Sequence, residues 1–261
     1  MKTARDIVSW FNHNFDSSLA EEWDSVGVIS GDWQREVRKI LFTVDITFDV
    51  LDEAIAIGAD MIVAHHPLIL PRHSVVNEPY KFQLIARANL AGVVLFNAHT
   101  NADNARPGVA DALAEVLGVV DTDALIPTSE DVATGTGRIG KLAQPVSLKS
   151  FTDRINELLP TANAKFSGNP QAMIETVALC PGSGDSLLVQ VRQSSADVYV
   201  TSDLRHHPVA EHREAHGCPL IDINHVAAEA VWLPVVSAKL SAEMSVEVAL
   251  SAVDTRAWIN N

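Results

Sequence analysis

Short apolar runs separated by stretches of helical periodicity govern what this chain can fold into. Lys39-Ile40-Leu41-Phe42-Thr43-Val44-Asp45, Met61-Ile62-Val63-Ala64 and Val93-Val94-Leu95-Phe96 are each the length of a buried strand and too short for a helix. Between them, residues 48–57 read as a helix closed by Gly58, and Pro79 opens another that runs to about Ala91 before Gly92. Ile7, Trp10, Phe11 and Phe15 place a helix over residues 3–15, and a further helix follows Pro107-Gly108 and stops at Gly118. Strand–helix–strand alternation of this kind predicts an α/β fold with a largely parallel sheet.

The stretch 119–137, rich in Thr, Asp, Gly and Ser, breaks the pattern and is the candidate boundary. Beyond it a helix is expected near 148–159, strands near 174–180 and 197–200, a helix near 206–216 and a strand at Leu220–Ile223. Helical periodicity then runs from about 225 to 240, where Pro234 should kink it, and Ser245–Leu250 closes as a strand. One echo links the halves. Ala59-Asp60-Met61-Ile62-Val63 precedes His65-His66-Pro67, and Ala196-Asp197-Val198-Tyr199-Val200 precedes His206-His207-Pro208. Two related lobes are expected, each delivering histidines at the carboxyl end of a strand, where ligands of open α/β sheets bind.

Composition narrows the function. Apolar residues make up 47% of the 261, the globular norm, which excludes a disordered chain. The net charge of −14 repels phosphate backbones, so nucleic acid is not an expected partner. Arg72, Lys81, Arg87, Arg205 and Arg213 are too few and scattered for a nucleic-acid channel, although a local metal or arginine patch could hold a small anion. Cys180 and Cys218 are the two cysteines and read as small core residues; no disulfide framework is implied. With no signal-peptide pattern at Met1–Asp6 and no 18-residue apolar run, the expected location is the cytoplasm, away from membranes.

The chemistry concentrates at three strand ends. His65-His66 follows the second strand directly, and two adjacent imidazoles are costly to bury there without partners. The third strand runs into Asn97-Ala98-His99-Thr100-Asn101-Ala102-Asp103, which on its own reads equally as a turn tied by Asn and Asp side chains. In Asp222-Ile223-Asn224-His225, followed by Glu229, the histidine and the glutamate lie four apart on one helical face. Together His65, His66, Asp103, His225 and Glu229 form a mixed imidazole and carboxylate set suited to Zn, Mn, Fe or Co, and a bridging carboxylate would admit two ions. Other features carry less. Gly135-Thr136-Gly137-Arg138-Ile139-Gly140 matches a dinucleotide-binding wording without the strand and helix it requires. Gly182-Ser183-Gly184 reads as a tight strand-to-helix turn, with an anion cradle as the alternative, and His212 and His216 as an exposed helix face.

Glu22-Trp23-Asp24-Ser25-Val26-Gly27, His65-His66-Pro67, His99–Asp103, Thr201–His207 and Asp222–Glu229 together resemble the NIF3-like (DUF34 or YbgI) family, whose members are called type 2 GTP cyclohydrolase I homologues. The resemblance spans essentially the whole chain, in the short form without the inserted middle domain. It implies two similar α/β lobes with a dinuclear metal site in the cleft between them, the first lobe being 1–125 plus about 226–261 and the second about 126–225. It implies two divalent metal ions held by His65, His66, Asp103, His225 and Glu229, with Glu229 as the bridge, and it puts His99 and His206 at positions for proton transfer or plain hydrogen bonding. The implied activity is hydrolytic opening of the guanine imidazole ring of GTP, with a nucleotide-like small molecule as substrate and a toroidal homohexamer as the assembly. A metal-dependent phosphoesterase and a non-enzymatic metal-binding scaffold or regulatory protein are the alternatives. The family pattern has Asn where Ser25 stands here, and Gly-Glu where Ser202-Asp203 stands.

Overall fold

The computed structural model describes residues 1–70, 78–128 and 132–259, so Arg72 lies outside the described residues. The chain forms two compact units, Met1–Ala105 with Trp232–Thr255, and Arg106–Val231 with Arg256–Asn261. The breaks fall at 105/106 and 231/232, not near 125 and 225, because much of the 119–137 stretch is strand.

In the first unit the elements run α1 (Ala4–Asn14), β1 (Gly27–Ser30), β2 (Lys39–Thr43), α2 (Phe48–Ala56), β3 (Met61–Ala64), α3 (Pro79–Ala91), β4 (Val94–Asn97) and α4 (Thr100–Asn104). The second unit contributes α5 (Val109–Leu117), β5 (Val119–Pro127), β6 (Gly135–Ser147), α6 (Leu148–Leu158), β7 (Lys165–Ser167), β8 (Met173–Ser183), α7 (Leu188–Gln193), β9 (Val198–Ser202), α8 (His206–Glu214), β10 (Leu220–Asp222) and α9 (His225–Ala230). The chain then returns to the first unit with α10 (Trp232–Met244) and β11 (Glu247–Leu250).

The first sheet has the order β1-β4-β3-β2-β11, parallel except for β1 at its edge. Side chains alternate across it. Leu41, Ile62 and Leu95 pack on Val50, Leu51 and Ala54 of α2 and on Leu84 and Ala88 of α3, while Phe96 on the other face meets Phe11 of α1 with ring centroids 4.9 Å apart. The second sheet, β5-β6-β8-β9-β10-β7, is mixed: β8, β9 and β10 are parallel, and antiparallel strands flank them on both sides. This corrects the expectation of largely parallel pairing there. Val177, Leu179, Val198, Val200 and Ile221 face α5, α6 and α9, and Ala178, Tyr199 and Leu220 face Leu188 and Val191 of α7.

The sequence echo has a structural cause. Asp60, just before β3, accepts the backbone N–H groups of Arg38 (2.9 Å) and Lys39 (3.3 Å), and its own N–H donates to the Lys39 carbonyl. Asp197, just before β9, accepts from Glu175 (3.0 Å) and Thr176 (2.8 Å) and donates to the Thr176 carbonyl. In each unit one aspartate fastens the foot of a parallel strand pair.

One feature set aside as a dinucleotide site finds its place, and two other expectations change. The G-x-G-x-x-G wording lies inside β6, where Arg138 is fully buried and forks onto Asp111 at 2.9 and 2.7 Å. Pro234 does not kink a long helix: the helix breaks at Val231, and Pro234 sits in the first turn of α10, where its missing N–H leaves no bond unmade. His212 is not on an exposed face. It is fully buried, its Nε2 is 3.0 Å from the Cys218 carbonyl, and its ring lies so close to Gly217 that a Cβ there would meet it at 2.2 Å. Among the described residues no helix is long and apolar enough to cross a membrane.

Candidate metal centre

In the first unit, the carboxyl ends of β3 and β4 bring three histidines together. One nitrogen from each of His65, His66 and His99 lies within 4.8 Å of the others. His65 is fully buried and its Nδ1 is held 2.9 Å from the Ala98 carbonyl, directing Nε2 the other way, to 3.7 Å from Oδ1 of Asp103. Asp103 is on α4, the short helix His99 leads into. His66 Nδ1 lies 2.7 Å from Asp45 Oδ1, and His99 Nδ1 lies 2.9 Å from Asp24 Oδ1. These contacts engage Nδ1 of each ring, so Nε2 is the atom each could offer to a metal.

Asp24 is the anchor of this arrangement. Besides His99 it accepts the N–H groups of Ser25 (2.6 Å) and Thr100 (3.1 Å) and the Thr100 hydroxyl. Burial pushes its carboxyl up, but the hydrogen bonds from His99 and Thr100 and the charge of His99 outweigh burial and hold it well below the usual carboxylate range. Asn101 ties its own turn, as a turn reading expects, by accepting the His99 N–H at 3.0 Å, but the amides of the asparagines around His99 reach much further. Asn97, Asn101 and Asn104 donate to the carbonyls of Ser25, Phe15 and Leu19, which pins segment 15–25 against the loop. Half-exposed Trp23 then stands edge-on to the His99 ring at 5.9 Å.

His66 and Asp45 also line a cavity of about 380 Å³ whose other walls include Phe48, Tyr80, Lys81 and Leu84.

In the second unit, the ends of β8, β9 and β10 build a smaller group. Asn224 caps α9 by accepting the Ala227 N–H at 3.1 Å, so His225 begins the helix and Glu229 stands one turn on. His225 Nε2 is 3.0 Å from Oε1 of Glu229, which is nearly fully buried, and its Nδ1 is 2.6 Å from Asp203 Oδ2. Asp203 reaches the ring from a left-handed backbone (φ 56°), a conformation Asp tolerates better than most residues. Gly182 makes room for the pair: its φ is +75°, and a Cβ there would lie 2.5 Å from Glu229 Oε1 and 3.4 Å from His225 Nε2. Thr201 Oγ1 and the Tyr199 hydroxyl hold this turn by donating to the carbonyls of Gly182 and Gly184.

Each unit therefore assembles its share of the expected ligands, His65, His66 and Asp103 in one and His225 and Glu229 in the other. His99 joins the first group. His206 belongs to no cluster of potential ligands among the described residues; it is exposed at the start of α8. Asp45, Gly182 and the roles of Asp24 and Asp203 escape a reading by residue type. Asp45 is two residues beyond β2, whose Thr43 pairs in register with Ala64 just before His65, so a strand-end rule could have found it.

The family model for Duf34/NIF3 (NGG1p interacting factor 3) matches residues 2–257. A "GTP cyclohydrolase 1 type 2 homolog" of Streptomyces coelicolor is 36% identical over 245 residues, covering 92% of this chain and 86% of the relative. "NIF3-like protein 1" of Drosophila melanogaster is 30% identical over 241 residues, covering 89% and 81%. The crystal structure of Staphylococcus aureus protein SA1388 superposes with a TM-score of 0.90 at 25% identity, covering 99% of both chains. The mixed α/β fold in two sheets is thus shared over nearly the full length, and the chain belongs to the Duf34/NIF3 family.

Proposed function

We propose that this protein is a metal-dependent hydrolase in which His65, His66, Asp103, His225 and Glu229 would hold two divalent ions. The observation that carries the reading is the support behind the histidines. Asp45 behind His66, Asp24 behind His99, Asp203 behind His225 and the Ala98 carbonyl behind His65 all engage Nδ1. Metal-binding histidines are characteristically held this way, and the donor set of imidazoles and carboxylates fits Zn, Mn, Fe or Co. Divalent ions at such a site supply Lewis acidity, which lets water attack near neutral pH.

The remaining work falls to the chain's own groups. His99, its Nδ1 proton held by ionised Asp24, is placed to hold or move a proton at Nε2. Phe48, Tyr80 and Lys81 offer aromatic surface and a cation to an aromatic, anionic substrate in the cavity beside His66. The name of the Streptomyces coelicolor relative points the same way, so the reading extends to opening of the guanine imidazole ring of GTP with release of formate.

Metal-loaded protein incubated with GTP tests this, with formate and the ring-opened product measured against a His65→Ala control. Formate above the control supports the reading. Phosphate released instead would make the protein a phosphoesterase, and no conversion would leave it a metal-binding protein without turnover. The toroidal hexamer belongs to the same proposal, and light scattering on the purified chain tests it.

A further inference from the structure

A second pocket, in the second unit, carries a charge opposite to that of the protein. It encloses about 410 Å³ between the edge strand β7, the end of β10, the loop after β9 and the first turns of α8. Lys165, Arg205, His206 and Arg213 line it, with Asp222 as its one carboxylate. The rest of the wall is largely apolar, including Leu204, Val209 and Leu220, and Phe166, on the edge strand, is 38% exposed. On a chain of net charge −14, three permanent cations around one carboxylate are an exception. These residues are scattered along the sequence and meet only because β7 pairs antiparallel with β10, setting Lys165 opposite Asp222.

Two of the cations have counter-charges. Lys165 Nζ is 2.9 Å from Asp222 Oδ2, and Arg205 Nε is 2.5 Å from Asp185 Oδ2. Both side chains are still about three-quarters exposed (76% and 75%), so their remaining N–H donors can turn to a ligand. Arg213 forms no ion pair among the described residues, and a guanidinium matches a phosphate with two parallel donors. We propose that this pocket is a binding site for an organic phosphate: Arg213, Arg205 and Lys165 take the phosphate, and Phe166 with the apolar wall takes the organic portion. The proposal goes beyond the hydrolase reading and uses none of its metal ligands.

Calorimetric titration of the full chain with GMP, pyrophosphate and guanosine tests it, after chelator treatment so that no bound ion contributes. GMP and pyrophosphate should bind, guanosine should not, and binding should weaken steeply as salt is raised. Arg213→Gln and Lys165→Gln change exposed side chains; each should keep the thermal midpoint and weaken GMP by about tenfold. Absence of binding by both anions, equal binding of guanosine, or undiminished binding in both variants would overturn the proposal. So would a change of oligomeric state in Arg213→Gln without any phosphate binding, which would assign these cations to a contact between copies of the chain.

Discussion

Asp203 and His225 meet across 2.6 Å, carboxylate oxygen to Nδ1, although they leave the ends of different strands, β9 and β10. The left-handed backbone of Asp203 carries its short side chain to the ring.

If that contact orients His225 for coordination, Asp203→Asn should lower metal affinity about 10–100-fold without unfolding the protein. Asp203→Glu should restore most of it. Competitive titration with a chromophoric chelator reads both, and an unchanged affinity in Asp203→Asn would make the contact merely structural.

Gly182→Ala should separate folding from metal binding. A left-handed non-glycine residue costs on the order of 1–3 kcal/mol. The added Cβ also meets Glu229 Oε1 at 2.5 Å, so the carboxylate must move. The expected result is a modest loss in the denaturation midpoint together with a clear loss of bound metal by elemental analysis.

His99→Gln tests proton transfer. Turnover should fall about 10²-fold or more while metal content stays near that of the wild type. Loss of metal in this variant would reassign His99 as a ligand, consistent with its place beside His65 and His66.

Arg138 is fully buried, and its fork onto Asp111 also holds the residue that accepts the Gly108 N–H at the start of α5. Breaking such a pair from one side leaves a buried charge. Arg138→Met should therefore lose about 3–5 kcal/mol in urea unfolding, and the double change with Asp111→Leu should recover part of it.

His212 predicts an acid sensitivity. Burial lowers its pKa from the ordinary 6.5, with neighbouring Arg192 adding to the effect against the opposing hydrogen bond of the Cys218 carbonyl. The unfolded chain then binds the proton more readily than the folded one. Stability from this residue is complete above about pH 6.5 and declines as pH falls toward the lowered value. His212→Gln should flatten the dependence of the urea midpoint between about pH 7 and 5.5.

Much of this molecule could be read from the chain because its signals are local. The strand leading to His65 is a continuous apolar run, and His225 and Glu229 are one helical turn apart. What escaped depends on partners distant in sequence. Asp24 finds His99 75 residues away, and Gly182 gains its meaning from Glu229. Strands β5 and β6 were hidden by polar, Gly-rich wording because partly exposed strands need no apolar run; buried and exposed residues are interspersed along both. His212 was misplaced because nothing nearby in sequence announces that Gly217 leaves space for its ring.

The aspartate brackets at Asp60 and Asp197 have a consequence for how this architecture can diverge. Each sits at the end of its strand opposite the chemistry, locking register where nothing reacts. Loops at the working rim can then change length and wording without letting the strands slip and turn their inward residues outward.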